Sequence, residues 1–321
     1  MRKKIYLMIL VIFLFMIGII SYMCLEIFNK RNYDMQLSID KNIPLMKSLS
    51  QIPKSNTIPF KLYLKYRDNG RRIKAGNYSI IGEYNLVDLI NLLESGKGRI
   101  VKITIPEGYS IKQIIEVLEK NGKIDRKKFY EELNDAKKNF PYPVPEGNFE
   151  GYLYPETYFL PENFDEKTAV EALLKEFLKK VPYSIYGERK DFYEKLIMAS
   201  ILEREAKLND EKPKMASVFY NRMKKGMTLS SDATVNFIYD YRKKRMLYRD
   251  LEIDSPYNTY KYKGLPPAPI CNPTIQSIQA AYNPDETEYL FFVATGDGGH
   301  YFSKTYKEHL EFQKNNKKIT E

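Results

Sequence analysis

The chain has 321 residues, of which 43% are apolar, and a formal net charge of +10. That length and apolar content exclude a small peptide and a wholly disordered tail, and they predict about two domains. Two histidines and two distant cysteines, Cys24 and Cys271, exclude a His/Cys metal site and a disulfide framework, so no metal and no cofactor is expected.

The chain opens on Arg2, Lys3 and Lys4, and an uncharged run from Ile5 to Leu25 follows. About 20 apolar residues cross a bilayer as a helix, and flanking basic residues stay on the cytoplasmic side. The reading is therefore a cytoplasmic tail (1–4), a single transmembrane helix (5–25) and everything else on the far side of the cell membrane. A cleaved signal peptide would have a shorter apolar core and a small-x-small site, and Ser21-Tyr22-Met23-Cys24 is a poor one. This topology points the basic surface at anionic lipid or an acidic wall polymer, and away from nucleic acid.

Residues 26–58 are polar and mixed, with Pro44 and Pro53, and read as a stalk. A weak repeat of about 25 residues then predicts two short helices. The first copy starts at the cap residue Asn85 and ends at Gly96; the second starts at Ser110 and ends at Gly122. Leu86, Leu89, Ile90 and Leu93 in one, and Ile111, Ile114, Ile115 and Leu118 in the other, recur at helical spacing. Between them Ile100 to Ile105 alternates like a strand. Residues 59–140 thus read as a small module of strands and helices. Pro141-Tyr-Pro-Val-Pro145 is stiff and extended, a natural boundary.

From 146 to 321 the pattern is mostly helical until Tyr289. Tyr289 to Ala294 and His300 to Ser303 then read as two strands of a hairpin, joined by Thr295-Gly-Asp-Gly-Gly299. The fold class is α+β.

One helix is apolar or small at every position from Leu196 to Leu202, which predicts burial on all sides. Glu203 follows directly, in line with Ala199, Leu196 and Phe192. A carboxyl at the rim of a core loses solvation, which raises its pKa and suits a general acid. The alternative is an ordinary surface pair with Lys207 one turn on. Two loops look built around a ligand: Glu150-Gly-Tyr-Leu-Tyr-Pro-Glu156-Thr-Tyr158, and Ser255-Pro-Tyr257-Asn-Thr-Tyr260 with Gly264-Leu-Pro-Pro267. The chain has 27 Tyr and no Trp, so any aromatic platform for a sugar must be Tyr or Phe. Turn-forming and core roles are the plainer reading of both loops.

These motifs, in one order over residues 100–310, resemble the YceG-like family of endolytic murein transglycosylases. The resemblance rests on Ile105-Pro-Glu-Gly-Tyr-Ser110, Glu150 to Tyr158, Ala199-Ser-Ile-Leu-Glu203, Ala216 to Arg222 and Ser231-Asp-Ala-Thr-Val235. Tyr257-Asn-Thr-Tyr260, Gly264-Leu-Pro-Pro267, Asn272-Pro273 and the terminal hairpin continue it. It implies one membrane helix, a LysM-like peptidoglycan-binding α/β module (59–140) and a catalytic domain (146–321) that is mostly helical with a short β-hairpin sheet. It implies a lyase that cuts the MurNAc–GlcNAc bond within nascent glycan strands, leaves 1,6-anhydroMurNAc ends and so ends strand elongation. The catalytic residue it implies is Glu203, with Glu156, Asp232, Tyr257, Asn258 and Tyr260 binding substrate. Expected partners are peptidoglycan strands, the membrane and peptidoglycan synthases. Three positions depart from the pattern: Ser230 in place of Gln, Tyr where some relatives have Trp, and Thr274 where Gly is usual. A two-carboxylate muramidase, with Asp232 or Glu156 beside Glu203, and a binding scaffold without turnover are the rival readings.

Overall fold

The computed structural model describes residues 2–122 and 124–317. Met1 of the expected tail and residues 318–321 of the expected catalytic region lie outside the described residues. The architecture is α+β, with one N-terminal apolar helix and two small sheets. The chain divides into two compact units. The first takes residues up to 102 together with 159–162; the second takes 103–158 and the chain from 163 onward.

In the first unit, helix α1 (Arg2–Phe28) contains a stretch from Tyr6 to Phe28 long and apolar enough to cross a membrane. Its last turn belongs to the folded unit. Ile27 packs against the unit's core, and Glu26 pairs with Arg31 and with Lys54, the latter at 3.0 Å. Only Asn29 and Lys30 separate α1 from strand β1 (Arg31–Ile39).

The region expected as a stalk is therefore folded. β1 pairs antiparallel with β2 (Gly76–Tyr84) along its whole length, from Arg31 opposite Tyr84 to Ile39 opposite Gly76. The cause is an alternation in which Tyr33, Leu37 and Ile39 face inward. Helices α2 (Leu45–Leu49), α3 (Ile58–Tyr66) and α4 (Leu86–Ser95) close the core, with Leu49, Phe60, Leu89, Ile90 and Leu93 buried. α4 starts where Asn85 accepts the Asp88 N–H at 2.8 Å and stops at Gly96, left-handed at φ +75°. The sheet continues through β3 (Arg99–Thr104) and β4 (Thr157–Pro161) in the order β1-β2-β3-β4, and these two strands carry the chain to the second unit and back. Residues 59–102 thus lie in the first unit and 103–140 in the second.

The second unit begins with α5 (Ile111–Asn121), whose capping box joins Ser110 and Gln113 in both directions. Gly122 ends it with an extended backbone, φ −152°, and not a left-handed turn. Glycine is needed there for room: a Cβ would come 2.5 Å from the Phe164 ring. After α6 (Arg126–Ala136) the Pro-rich stretch 141–145 lies inside this unit and marks no boundary. Its Tyr142 is buried in an aromatic cluster with Phe140, Phe149, Tyr152, Phe177 and Phe192, and donates to the Val181 carbonyl at 2.8 Å.

Helix α7 (Glu166–Lys180) and the single turn α8 (Tyr183–Tyr186) precede α9 (Phe192–Glu205). α9 is the axis of the unit, with α10 (Lys212–Lys224), α11 (Asp232–Ile238) and α12 (Ile275–Tyr282) packed round it. Every residue from Leu196 to Leu202 is at most 5% exposed. Asp191 makes no side-chain cap, so this helix is held by burial, each large side chain contributing about 1.5–3 kcal/mol. The terminal hairpin is β5 (Phe291–Ala294) and β6 (His300–Ser303), Phe291 opposite Ser303, followed by α13 (Tyr306–Lys317).

Candidate active site

Two carboxylates leave the end of α9 in different directions. Glu203 Oε1 lies 3.1 Å from Lys212 Nζ. Its Oε2 takes three donors, each at 2.7 Å: the Thr274 N–H, the Thr274 hydroxyl and the Ser277 hydroxyl. The side chains of Glu203 and Lys212 are 3% and 2% exposed. Lys207 is not its partner. A carboxylate has about four lone-pair sites. Four donors on a group closed to water leave little for a sugar oxygen. Thr274 caps α12 at φ −77°, an ordinary extended conformation, so no glycine is required and the threonine adds a hydroxyl to Glu203.

Two residues on, about 200° round the helix, is Glu205. As whole residues both glutamates are half-buried. The Ser231 hydroxyl and the Ala233 backbone N–H donate to Glu205. Loss of solvation raises its pKa, and the charge of Asp232 raises it further, against the Ser231 and Ala233 bonds and the pull of His300. Between the two glutamates, Arg204 turns away, donating to the Gly108 carbonyl at 3.0 Å and stacking 3.8 Å over the Tyr241 ring.

The loop that brings Ser231 and Asp232 to Glu205 is rigid. Ser230 is left-handed at φ +49°, strained for a non-glycine residue, and its N–H bonds the Thr259 carbonyl at 3.0 Å. The Ser231 N–H and the Thr234 hydroxyl both meet the Thr259 hydroxyl, at 3.1 and 2.8 Å. The exposed Asp232 accepts the Tyr260 hydroxyl at 2.6 Å. Burial, and then this bond, push the Tyr260 phenol up. Arg222 stands behind, donating to the Leu290 and Leu229 carbonyls at 2.6 and 2.5 Å. Burial lowers its pKa, and the negative charge of Glu205 is among the influences that oppose this.

The residues singled out from sequence separate into groups. Asp232 and Tyr260 meet at Glu205. Asn258 lies in the same loop but turns inward: it is wholly buried, donates to the Leu251 and Ile253 carbonyls at 2.8 Å and accepts the Tyr260 N–H at 3.0 Å. Tyr257 packs against Phe237, ring centres 5.0 Å apart. Glu156 is tied to Lys180 at 3.1 Å and to the Thr157 N–H at 3.0 Å, which hold its pKa down. Glu205 was missed. Its signal was its place beyond the buried run, two positions past Glu203 and so on the other side of the helix.

A sequence model of the YceG-like family matches residues 43–315. The chain is 37% identical to an endolytic murein transglycosylase of Bacillus subtilis over 306 residues, 86% of this chain and 84% of that protein. It is 28% identical to one from Streptococcus pneumoniae, covering 78% of this chain and 52% of that longer protein. A solved structure of a YceG-like protein from Listeria monocytogenes superposes with a TM-score of 0.61 at 30% identity, over 87% of this chain and 98% of that one. With most of its length matched in these ways, the chain belongs to the YceG-like family.

Proposed function

We propose that this protein is a membrane-anchored lytic transglycosylase that cuts the MurNAc–GlcNAc bond within nascent peptidoglycan strands, with Glu205 as its acid and base. The observation that carries the choice of residue is the contrast at the end of α9. Glu203 is taken up by four donors from Lys212, Thr274 and Ser277, while Glu205 takes two, from Ser231 and Ala233, has its pKa raised by burial and stands beside Asp232. This moves the acid from Glu203, the residue read from sequence, to its neighbour. Glu203 becomes a positioning residue that ties α9 to α10 and α12.

In this reading protonated Glu205 gives its proton to the glycosidic oxygen as the bond from C1 to that oxygen breaks. Positive charge develops at C1, and the exposed carboxylate of Asp232, fixed by Tyr260, favours it. The C6 hydroxyl of the same muramyl residue bonds to C1, and its proton returns to Glu205. The product is a 1,6-anhydro end, no water is consumed, and one carboxyl serves twice. Hydrolases instead use two carboxyls and a water. The relatives' printed name supports murein as substrate. Arg2, Lys3 and Lys4 before the apolar helix support a cytoplasmic N-terminus with the chain after that helix outside. A LysM-like role in strand binding for the region before Pro141, contact with peptidoglycan synthases and an end to strand elongation complete the proposal.

Purified peptidoglycan digested by the full chain, with fragments weighed by mass spectrometry, tests this. Fragments lacking the mass of one water per cut support the lyase; hydrated ends mean a muramidase, and no cutting means a scaffold. Glu205→Gln loses about 10²–10⁴-fold in rate while still binding strands. Cleavage left intact in Glu205→Gln and abolished in Glu203→Gln, with both folded, returns the acid to Glu203.

A further inference from the structure

Helix α11 has a second end. Asp232 at its start belongs to the site beside Glu205; Phe237 and Ile238 at its finish line a cavity of about 300 Å³, the lower size range of ligand pockets. Six residues of helix separate the two ends, about 9 Å, a length comparable to one or two rings of an extended glycan. Ser110, Lys112, Tyr130, Glu150 and Tyr257 are among the other residues of the wall. These residues come from α5, α6 and two loops, all in the second unit.

The chemistry of the wall is specific. Glu150 is 5% exposed, and its oxygens are unequally used. Oε1 accepts from Asn272 Nδ2 at 2.9 Å, and both oxygens share the Ile111 N–H at 3.1 Å. Oε2 has only that half share. Burial pushes the carboxyl up to about 8, against the Ile111 and Asn272 bonds and the charge of Lys112, so at neutral pH it carries a proton. Oε2 is the oxygen with room to hold it. The same wall holds two aromatic side chains in contact, Phe237 and Tyr257, together with the half-exposed Tyr130 and the Lys112–Asp240 pair at 2.6 Å. A buried neutral donor in one wall with apolar rings fits a small group with one carbonyl and one methyl.

We propose that this cavity is a subsite for the 2-acetamido group of a sugar one or two rings from the scissile bond. Glu150 donates to the acetamide carbonyl, and Phe237 and Tyr257 take the methyl and the apolar face of the ring. This rests on the transglycosylase reading above and deepens it. It would make the enzyme sense N-acetylation at a distance from the bond it cuts.

The test is calorimetric binding to the full chain in detergent, carrying Glu205→Gln to prevent turnover. The probes are chitohexaose, which has acetamido groups, and cellohexaose, which has hydroxyls in their place. Chitohexaose is expected to bind at least tenfold more tightly. Tyr257→Ala and Tyr130→Ala, on separate elements, should each cut that preference below threefold. Glu150→Gln, whose amide donates from the same place, should keep it. Equal binding of the two sugars, or a preference unchanged in both tyrosine variants with native circular dichroism, overturns the subsite alone. A protein that binds neither sugar also overturns the subsite, while the transglycosylase reading stands or falls separately on cleavage of peptidoglycan.

Discussion

Lys212 on α10 and Glu203 on α9 form an ion pair, 3.1 Å long, that is almost wholly out of water. Such a pair is costly to break from one side, because the remaining charge stays buried without a partner. Lys212→Met should therefore destabilise the protein by about 3–5 kcal/mol. The double variant with Glu203→Gln should recover much of that loss. Chemical denaturation of the four proteins of the cycle measures it. Strictly additive losses would mean that the two groups do not depend on each other.

Asp232 is one of the groups that raise Glu205. In the proposed mechanism Glu205 is protonated in the free enzyme, so kcat/KM should fall as pH rises through its raised pKa. Asp232→Asn removes a negative neighbour and lets the proton leave sooner. The alkaline limb of the pH profile should then move to lower pH. Movement to higher pH, or none, contradicts the electrostatic role given to Asp232.

Glu150 gives a pH dependence of stability with a definite sign. Its pKa stands at about 8 in the folded chain, above the ordinary carboxyl value of 4.5. Between those values the unfolded chain has released a proton that the folded chain still holds. Stability from this group is thus full below about 4.5 and declines as pH rises to about 8, by up to about 5 kcal/mol. The charged and titratable groups that act with it are Lys112, Tyr130, Tyr241 and Cys271. Denaturant midpoints from pH 5 to 9 should fall less steeply in Glu150→Gln. Parallel slopes in the two proteins would refute it.

Asn272 ties the Glu150 loop to the turn before α5. Its Oδ1 accepts the Gly151 and Leu153 N–H groups at 3.0 and 2.8 Å, and its Nδ2 donates to Tyr109 and Glu150 at 2.9 Å. Asn272→Ala leaves four buried groups short of a partner. It should cost at least about 3 kcal/mol, read as a lowered midpoint, and should release Glu150 from its place. A change below 1 kcal/mol would mean that water replaces the amide without loss.

The parts of the fold visible in sequence are those set by local periodicity. The α4 and α5 caps, the buried α9 and the terminal hairpin occur where cap residues, apolar runs and glycines put them. β1 was equally periodic through Tyr33, Met35, Leu37 and Ile39, but nine residues beside a membrane helix invited the plainer reading of a stalk. Pro141–Pro145 misled because stiffness says nothing of burial; the aromatic residues around Tyr142 decide that. The site was legible as a neighbourhood and not in its roles. Apolar spacing marked the end of α9, yet the partners that separate Glu203 from Glu205 lie on α10, α12 and the 231 loop, 9 to 74 residues away. Only folding brings them in. Asn258 shows the same limit from the other side: its amide suits a sugar, and the structure spends it on the loop that carries Tyr260.

The two-residue link between α1 and β1 has a consequence for how the molecule is made. Ile27 packs against the core of the first unit, and Glu26 is held by Arg31 and Lys54. The end of the apolar helix is thus a structural part of the unit that follows it. The full stability of that unit therefore depends on the helix end being in place as the molecule is made. Proteolytic shedding just after Cys24 would leave Glu26 and Ile27 without the helix that aligns them, and would loosen the released unit at its base.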